Sequence, residues 1–175
     1  QVTGVQTCAL PILIIIRGNS GSGKTTLARN LQRKFGRNTM VISQDVIRRD
    51  MLMERDGFDT KALPLLIELL KYGRRNCEVT ILEGILNSQW YKPLFETAIL
   101  EYGSNIHAYY YDIPFEETVQ RHKTKSNCNE FGEDSMRIWW KEKDYIKIID
   151  EIKFTSDVSV EKAIEIISDN LVNTI

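Results

Sequence analysis

The fold of this chain is decided by one stretch, Leu13 to Leu27, which reads LIIIRGNSGSGKTTL. Its four leading apolar residues predict a buried parallel strand that ends near Arg17. The next eight residues fit G-x-x-x-x-G-K-[ST] at every fixed position. Their glycines allow a tight turn whose N–H groups converge on one point, and a helix beginning at about Lys24 directs its positive end toward that point. The stretch therefore predicts a phosphate-binding loop.

The residue types in this loop predict how a nucleoside triphosphate would be held. We expect Lys24 to reach the β- and γ-phosphates and the Thr25 hydroxyl to bind Mg²⁺. The predicted nucleotide-binding residues are Gly18, Asn19, Ser20, Gly21, Ser22, Gly23, Lys24, Thr25 and Thr26. The alternative is a glycine-rich turn without a ligand, but the strand before the loop and the helix after it favour the phosphate-binding interpretation.

Length and composition predict a single soluble globular domain. The chain has 175 residues, of which 42% are hydrophobic and 27% are charged, and its formal net charge is −1. A near-neutral chain lacks the electrostatic footprint for wrapping duplex nucleic acid, although a local basic groove for one strand end remains open. The cysteines Cys8, Cys77 and Cys128 are odd in number and have no metal-binding spacing. We therefore expect reduced thiols in a cytoplasmic protein, with no membrane association.

The first eleven residues fit poorly with the rest of the chain. Pro11 stands just before the first strand, and the string VQTCALPI resembles a translated sequencing adapter. We expect residues 1–11 to be a non-native or loosely ordered extension, and residues 12–175 to form one domain.

Apolar periodicity predicts strands that alternate with helices along the whole chain. The predicted strands are 13–16, 40–43, 79–82, 106–111 and 152–155, and the predicted helices are 24–35, 45–54, 60–75, 89–102, 115–123, 136–149 and 160–171. Residues 125–135 have no apolar period and are predicted to be a mobile loop. This alternation predicts an α/β fold in which a parallel sheet is covered by helices on both faces.

Acidic residues follow the strands at the edge where open parallel sheets bind ligands. Asp45 comes after the second strand, Glu83 after the third and Asp112 after the fourth. Phosphoryl transfer to an alcohol needs a base for the acceptor proton, and Asp45 is the best-placed candidate. Asp45 also suits a helix N-cap, and the two roles are compatible. Glu83 is predicted to order a metal-bound water or hold the acceptor, or to be satisfied by backbone N–H groups.

Basic residues supply the remaining candidates. Arg48 lies one helical turn after Asp45 and is predicted to bind the acceptor, with a solvated helix-surface pair as the alternative. Arg121 and Arg137 bracket the predicted loop, as expected of a lid that lowers guanidinium groups onto phosphates. A surface role is the alternative for both. His122 is predicted on a helix surface, and the neighbouring Lys125 is interpreted as solvated unless a lid uses it.

These motifs together resemble the small P-loop kinases. The resemblance rests on GNSGSGKTTLA, on S-x-D-x-x-R at Ser43, Asp45 and Arg48, and on the late arginine. Similar groups are the polynucleotide 5′-hydroxyl kinases, the zeta-toxin-like kinases, and the chloramphenicol phosphotransferase and gluconate kinase relatives. The resemblance implies a P-loop NTPase three-layer sandwich, a five-stranded sheet of order 2-3-1-4-5 and a helical lid at about 122–137. It also implies ATP and Mg²⁺, Asp45 as base, and Arg121 as the lid arginine.

The expected function is therefore ATP-dependent transfer of the γ-phosphate to a hydroxyl group of a small molecule. The resemblance leaves a nucleoside, a sugar nucleotide and an antibiotic open as that molecule. A 5′-hydroxyl polynucleotide kinase or a zeta-toxin-like kinase is the first alternative. An ATPase that acts as a nucleotide-dependent switch is the second, although the sequence provides no evident water-orienting residue or partner surface.

Overall fold

A computed structural model describes residues 10–126 and 128–172 of the chain. Its elements in chain order are β1 (Ile12–Gly18), α1 (Lys24–Phe35), β2 (Thr39–Ser43), a π-helix (Val46–Met51), α2 (Ala62–Asn76), β3 (Val79–Gly84), α3 (Lys92–Tyr102), β4 (Ile106–Tyr111), α4 (Phe115–Lys123), α5 (Glu133–Trp139), β5 (Glu151–Phe154) and α6 (Val160–Val172). Most of the extension expected at 1–11 lies outside the described residues.

The strands form one parallel sheet in the order β2-β3-β1-β4-β5, as the resemblance implied. In the register, Ser43 of β2 lies beside Glu83 of β3, and Arg17 of β1 lies beside Gly84. The carboxyl ends of these three strands are therefore level. The segments that follow them meet at one edge of the sheet, where ligands are expected to bind.

The core is divided between the two faces of the central strand. Leu13 and Ile15 point toward α2 and α3, whereas Ile14 and Ile16 point toward α1 and α6, and all four are fully buried. Burial on both faces explains why this strand is an unbroken apolar run. Each such side chain contributes about 1.5–3 kcal/mol of transfer free energy, so the strand fixes the start of the loop firmly.

Two predicted helices differ from those in the structure. Residues 46–51 form a π-helix rather than an α-helix. The helix predicted at 136–149 instead spans Glu133–Trp139, so the loop before it is shorter than predicted. The Asn19 side chain binds both the N–H and the carbonyl of Lys141, at 3.0 and 2.8 Å. These tertiary contacts hold the chain after α5 against the phosphate loop and override its helical periodicity.

The described residues also bear on the predictions about membranes and thiols. No helix between residues 10 and 172, leaving out residue 127, is long and apolar enough to cross a membrane. Cys77 and Cys128 are free thiols. Cys8 lies outside the described residues.

Candidate active site

The turn between β1 and α1 has the backbone conformation that the glycines predicted. Gly21 has φ +83° and Gly23 has φ +102°, both in the left-handed region that favours glycine. A Cβ on Gly21 would collide with the carbonyl oxygen of Thr118, so only glycine fits between the loop and α4. Gly23 precedes α1 and gives it no side-chain cap. The first N–H groups of α1 are thus left for a ligand, as an anion site requires.

Lys24 is folded over this loop. Its Nζ donates to the carbonyl oxygen of Asn19 at 2.8 Å and to Ser22 Oγ at 3.3 Å. Burial lowers the pKa of Lys24 to about 8, while the negative charge of Glu83 acts in the opposite direction. A bound phosphate would add negative charge beside the ammonium and so favour its protonated form.

The ends of β2 and β3 meet the start of α1 at a small cluster of oxygen atoms. Glu83 is 2% exposed. Its Oε1 accepts hydrogen bonds from Thr25 Oγ1 at 3.2 Å and from Ser43 Oγ at 2.5 Å. A set of hard oxygen atoms beside a phosphate loop fits Mg²⁺. Between residues 10 and 172, with 127 left out, no group of three or more His, Cys, Asp or Glu could hold a metal. The ion would therefore need phosphate oxygens as well.

A larger cleft of about 930 Å³ opens beside this cluster. It is lined by residues that include Gly18, Asn19, Ser20, Gly21, Lys24, Thr25, Asp45, Arg48, Arg49, Arg55, Asp56, Glu83, Asn87, Trp90, Lys125, Phe131, Trp139, Trp140 and Asp144. The side chain of Asp45 is 61% exposed and pairs with Arg48 at 3.3 Å and Arg49 at 3.5 Å. Asp45 makes no capping hydrogen bond to the π-helix, so its carboxylate is available to the cleft.

A smaller cleft of about 740 Å³ lies on the other side of the loop. It is lined by Gly21, Gly23, Thr25, Thr26, Tyr111, Arg121, Thr124, Lys125, Ser126, Val158, Ser159 and Val160. Arg121 donates from Nη1 to the carbonyl oxygen of Ser22 at 2.9 Å, and its Nε binds Glu117 at 2.9 Å. Gly21, Thr25 and Lys125 line both clefts. The two clefts therefore meet at the phosphate loop.

Lys125 is less solvated than the sequence-based interpretation expected. It is half-buried and reaches both clefts. Burial lowers its pKa, and the carboxylates of Glu83 and Asp45 oppose that shift. The loop that carries Lys125 has no strong sequence motif, and the lysine could be assigned to the site only from the fold.

Arg137 has the surface position that the sequence left open as an alternative, whereas His122 does not lie where the sequence predicted. The Arg137 guanidinium lies 4.3 Å from the Phe115 ring centroid, pairs with Glu133 and is 64% exposed, and Arg137 lines neither cleft. The surface position predicted for His122 is wrong, because this residue is 3% exposed. Phe131 folds over it, with ring centroids 4.4 Å apart and a contact of 2.9 Å from His122 Nε2 to the Phe131 carbonyl oxygen.

Arg49 joins the segment around α5 to the π-helix. Its guanidinium carbon lies 5.5 Å from the Phe131 ring centroid and 5.8 Å from that of Trp139. Stacking of this kind, together with the pair between Arg49 and Asp45, brings the α5 segment over the larger cleft.

Asp56 is among the carboxylates of the larger cleft that sequence reasoning missed. The hydroxyl of fully buried Tyr91 donates to Asp56 Oδ1 at 2.5 Å, and Gln44 Nε2 donates to Asp56 Oδ2 at 3.1 Å. Gln44 Nε2 also lies 2.9 Å from the Tyr91 hydroxyl. Burial and then Asp56 raise the pKa of Tyr91, which keeps its hydroxyl a donor. Asp56 follows a helix rather than a strand, so a survey of strand ends does not reach it.

Sequence reasoning also missed the buried cation below the cleft. Arg17 is fully buried, and its guanidinium pairs with Asp144 at 3.1 Å and Glu151 at 2.8 Å. Asp144 in turn accepts hydrogen bonds from the hydroxyl and N–H of Ser88. The alternation of side chains along β1 could have predicted that Arg17 is buried, since Arg17 is on the same face of the strand as the buried residues Leu13 and Ile15.

A parallel sheet of this order, with a phosphate loop after its central strand, is the P-loop NTPase-like fold. The chain belongs to the AAA domain family, which residues 13–138 match. No curated protein matches the chain significantly.

Solved structures that resemble the chain include several kinases. A gluconokinase from Sinorhizobium meliloti is 12% identical with a TM-score of 0.66, over 94% of this chain and 98% of that one. The APS kinase of Mycobacterium tuberculosis, in complex with AMPPNP and APS, is 18% identical with a TM-score of 0.63, over 92% and 97%. A tunicamycin resistance protein from Deinococcus radiodurans is 17% identical with a TM-score of 0.60, over 92% and 95%. At these identities the likeness establishes the fold alone.

Proposed function

We propose that this protein is an ATP-dependent kinase that transfers the γ-phosphate to a hydroxyl group of a small molecule. The observation that carries the proposal is the meeting of two clefts at the phosphate loop, through Gly21, Thr25 and Lys125. One cleft would take the nucleotide and the other the acceptor. A fold shared with a gluconokinase and an APS kinase supports the same reaction class.

The donor half of the site would lie in the smaller cleft. The loop amides and Lys24 would hold the phosphates, and Arg121 would stabilise the charge that develops on the transferred group. The base and sugar would extend toward Val158 and Ser159, which line the far side of this cleft. Thr25 and Glu83 would hold Mg²⁺, which when bound neutralises charge on the phosphates.

The acceptor half would lie in the larger cleft. The oxygen of the acceptor hydroxyl would bond to the γ-phosphorus while the bond from that phosphorus to the departing ADP oxygen breaks. Asp45 would accept the proton that the hydroxyl loses. The pairs that Asp45 makes with Arg48 and Arg49 hold its carboxylate at the larger cleft, where the acceptor hydroxyl would lie. Arg48 would help to hold the acceptor, and the segment around α5 would exclude water.

The test is an Asp45→Asn variant assayed for transfer from radiolabelled ATP to nucleosides, sugars, aminoglycosides and a 5′-hydroxyl oligonucleotide. We expect transfer to fall by a factor of about 10²–10⁴, the usual contribution of a general base, while ATP binding persists. Glu68→Gln is the matched control, since Glu68 pairs with Lys71 at the exposed surface of α2. An Asp45→Asn enzyme with wild-type transfer would overturn the assignment. ATP turnover that no acceptor stimulates would favour a nucleotide-dependent switch instead.

A further inference from the structure

The larger cleft contains a carboxylate that the proposed reaction does not use. Asp56 is half-buried and held in place from two sides by Tyr91 and Gln44, while it lines the cleft. Its Oδ1 also accepts the N–H of Gly57 at 3.1 Å. A carboxylate has about four lone-pair sites, and three are occupied by these contacts. One site on Oδ2 is left for an N–H or O–H group of a ligand.

The same cleft has several aromatic walls. Trp90 is half-buried and meets the exposed ring of Phe58 edge-on, with centroids 6.1 Å apart. Trp139 is 42% exposed and meets Phe131 edge-on at 5.1 Å. An edge-on contact covers at most one face of one of the two rings, and Arg49 lies over Trp139, so Trp90 is the indole that can offer a face to a planar ring.

Among the described residues, six acidic and six basic side chains line the larger cleft, so it offers no net positive charge that would select an anionic acceptor. Arg48 is already bound to Asp45 and to the carbonyl oxygen of Glu54, at 3.3 and 3.1 Å. Lys141 is paired with Asp144 at 3.1 Å. The Arg48 Nε–H is buried and has no hydrogen-bond partner among the described residues, so it is a donor that an oxygen atom of the acceptor would satisfy.

We propose that the acceptor is a neutral molecule whose phosphorylated hydroxyl is joined to a planar heterocycle. The heterocycle stacks on the cleft aromatics and donates one hydrogen bond to Asp56. This inference rests on the proposed function and names the class of acceptor that its cleft takes. Asp56 is then a specificity-determining residue rather than a participant in the proton transfer at Asp45.

The first arm of the test compares matched acceptors on the wild-type protein. Ribose carries the hydroxyls without a heterocycle, the four ribonucleosides add one, and the nucleoside 3′-monophosphates add negative charge. We expect at least one nucleoside to exceed both ribose and its own 3′-monophosphate in kcat/KM by about tenfold or more, as stacking of one base implies. Ribose or a 3′-monophosphate that matches the nucleosides would overturn the inference.

The second arm measures binding without turnover, by calorimetric titration of nucleosides in the presence of a non-hydrolysable ATP analogue. Asp56→Asn and Trp90→Leu are each expected to weaken nucleoside binding by about tenfold. In assays of transfer the loss should appear in the nucleoside KM rather than in kcat, because ground state and transition state lose the contact equally. Asp59→Asn, at an exposed neighbouring carboxylate, is the control.

The two proposals fail in different ways. Asp45-dependent transfer to ribose alone would support the proposed kinase activity and overturn the proposal that the acceptor carries a heterocycle. Nucleoside binding that depends on Asp56 but leads to no phosphoryl transfer would support the heterocycle-binding site and overturn the proposed kinase activity. Nucleoside affinity unchanged in both Asp56→Asn and Trp90→Leu would overturn the inference whatever the transfer assay gives.

Discussion

Replacement of Arg17 by methionine is the perturbation whose consequence is largest. Arg17 makes five hydrogen bonds from a fully buried position, and two of them are ion pairs with Asp144 and Glu151. The others reach the carbonyl oxygens of Leu86 and Asp144. Methionine keeps a long apolar stem in the same space, but it leaves the buried Glu151 carboxylate without its cation and Asp144 with only the more exposed Lys141.

The expected loss in free energy of unfolding is about 3–5 kcal/mol, because breaking a buried pair from one side leaves an uncompensated charge. Domains of this kind have a total of about 5–15 kcal/mol, so the variant should be close to unfolding. Burial already raises the pKa of Glu151, and Arg17 opposes that rise. Without Arg17 the folded-state pKa rises further above the unfolded value. The penalty should therefore be greatest near neutral pH and shrink as the pH falls toward 4.5, the ordinary value of the carboxyl group.

Urea unfolding followed by tryptophan fluorescence measures this loss. The control is the triple variant Arg17→Met, Asp144→Asn, Glu151→Gln, which removes all three charges and should recover part of the stability. A loss below about 1 kcal/mol in the single variant would refute the reasoning, since that is the scale of a surface pair. A triple variant as unstable as the single one would show that packing, rather than charge, explains the loss.

Three further predictions concern the phosphate loop and its surroundings. Gly21→Ala should abolish ATP binding measured by calorimetry. Gly36→Ala, at φ +79° and ψ −141° with open space around its Cβ, should cost about 1–3 kcal/mol of stability and bind ATP normally. Arg121→Ala should reduce kcat by a factor of about 10³–10⁵ in transfer assays, as for other transition-state arginines; Arg137→Ala, which lies outside both clefts, should change it little, and equal losses would contradict this. ATP affinity should weaken as the pH rises through about 8, because Lys24 loses its proton there in the free protein. The Lys24→Met variant should lack this pH dependence. An ATP affinity of the wild type that does not change with pH would contradict the prediction.

The geometry of the phosphate loop could be predicted from the sequence because it is local. A run of eight residues determines the turn, the start of α1 and the position of Lys24, so α1 was predicted with its observed bounds. The sheet order followed from the resemblance to P-loop kinases. Asp45 and Glu83 were found because strand ends of a parallel sheet converge wherever the strands themselves are recognisable.

The acceptor half depends on contacts between residues far apart in the chain, and periodicity does not report these. Asp56 is held by Gln44 and Tyr91, which are 12 and 35 residues away. The early end of α5 has the same cause, since Asn19 captures Lys141 from 122 residues away. Local propensity favours helix there, and tertiary hydrogen bonding overrides it.

The pair Glu83-Gly84 at the end of β3 links the two halves of the site. Glu83 contacts Thr25, which lines both clefts, and Gly84 leaves the space that the Gln44 side chain fills as it holds Asp56. Consecutive Cα atoms are separated by about 3.8 Å, and that separation does not vary. One peptide unit therefore fixes the distance between the residue that contacts Thr25 and the residue that makes room for Gln44. A side chain at residue 84 would collide with Gln44 and so displace the group that supports Asp56, while Glu83, one residue earlier, keeps its contact with Thr25.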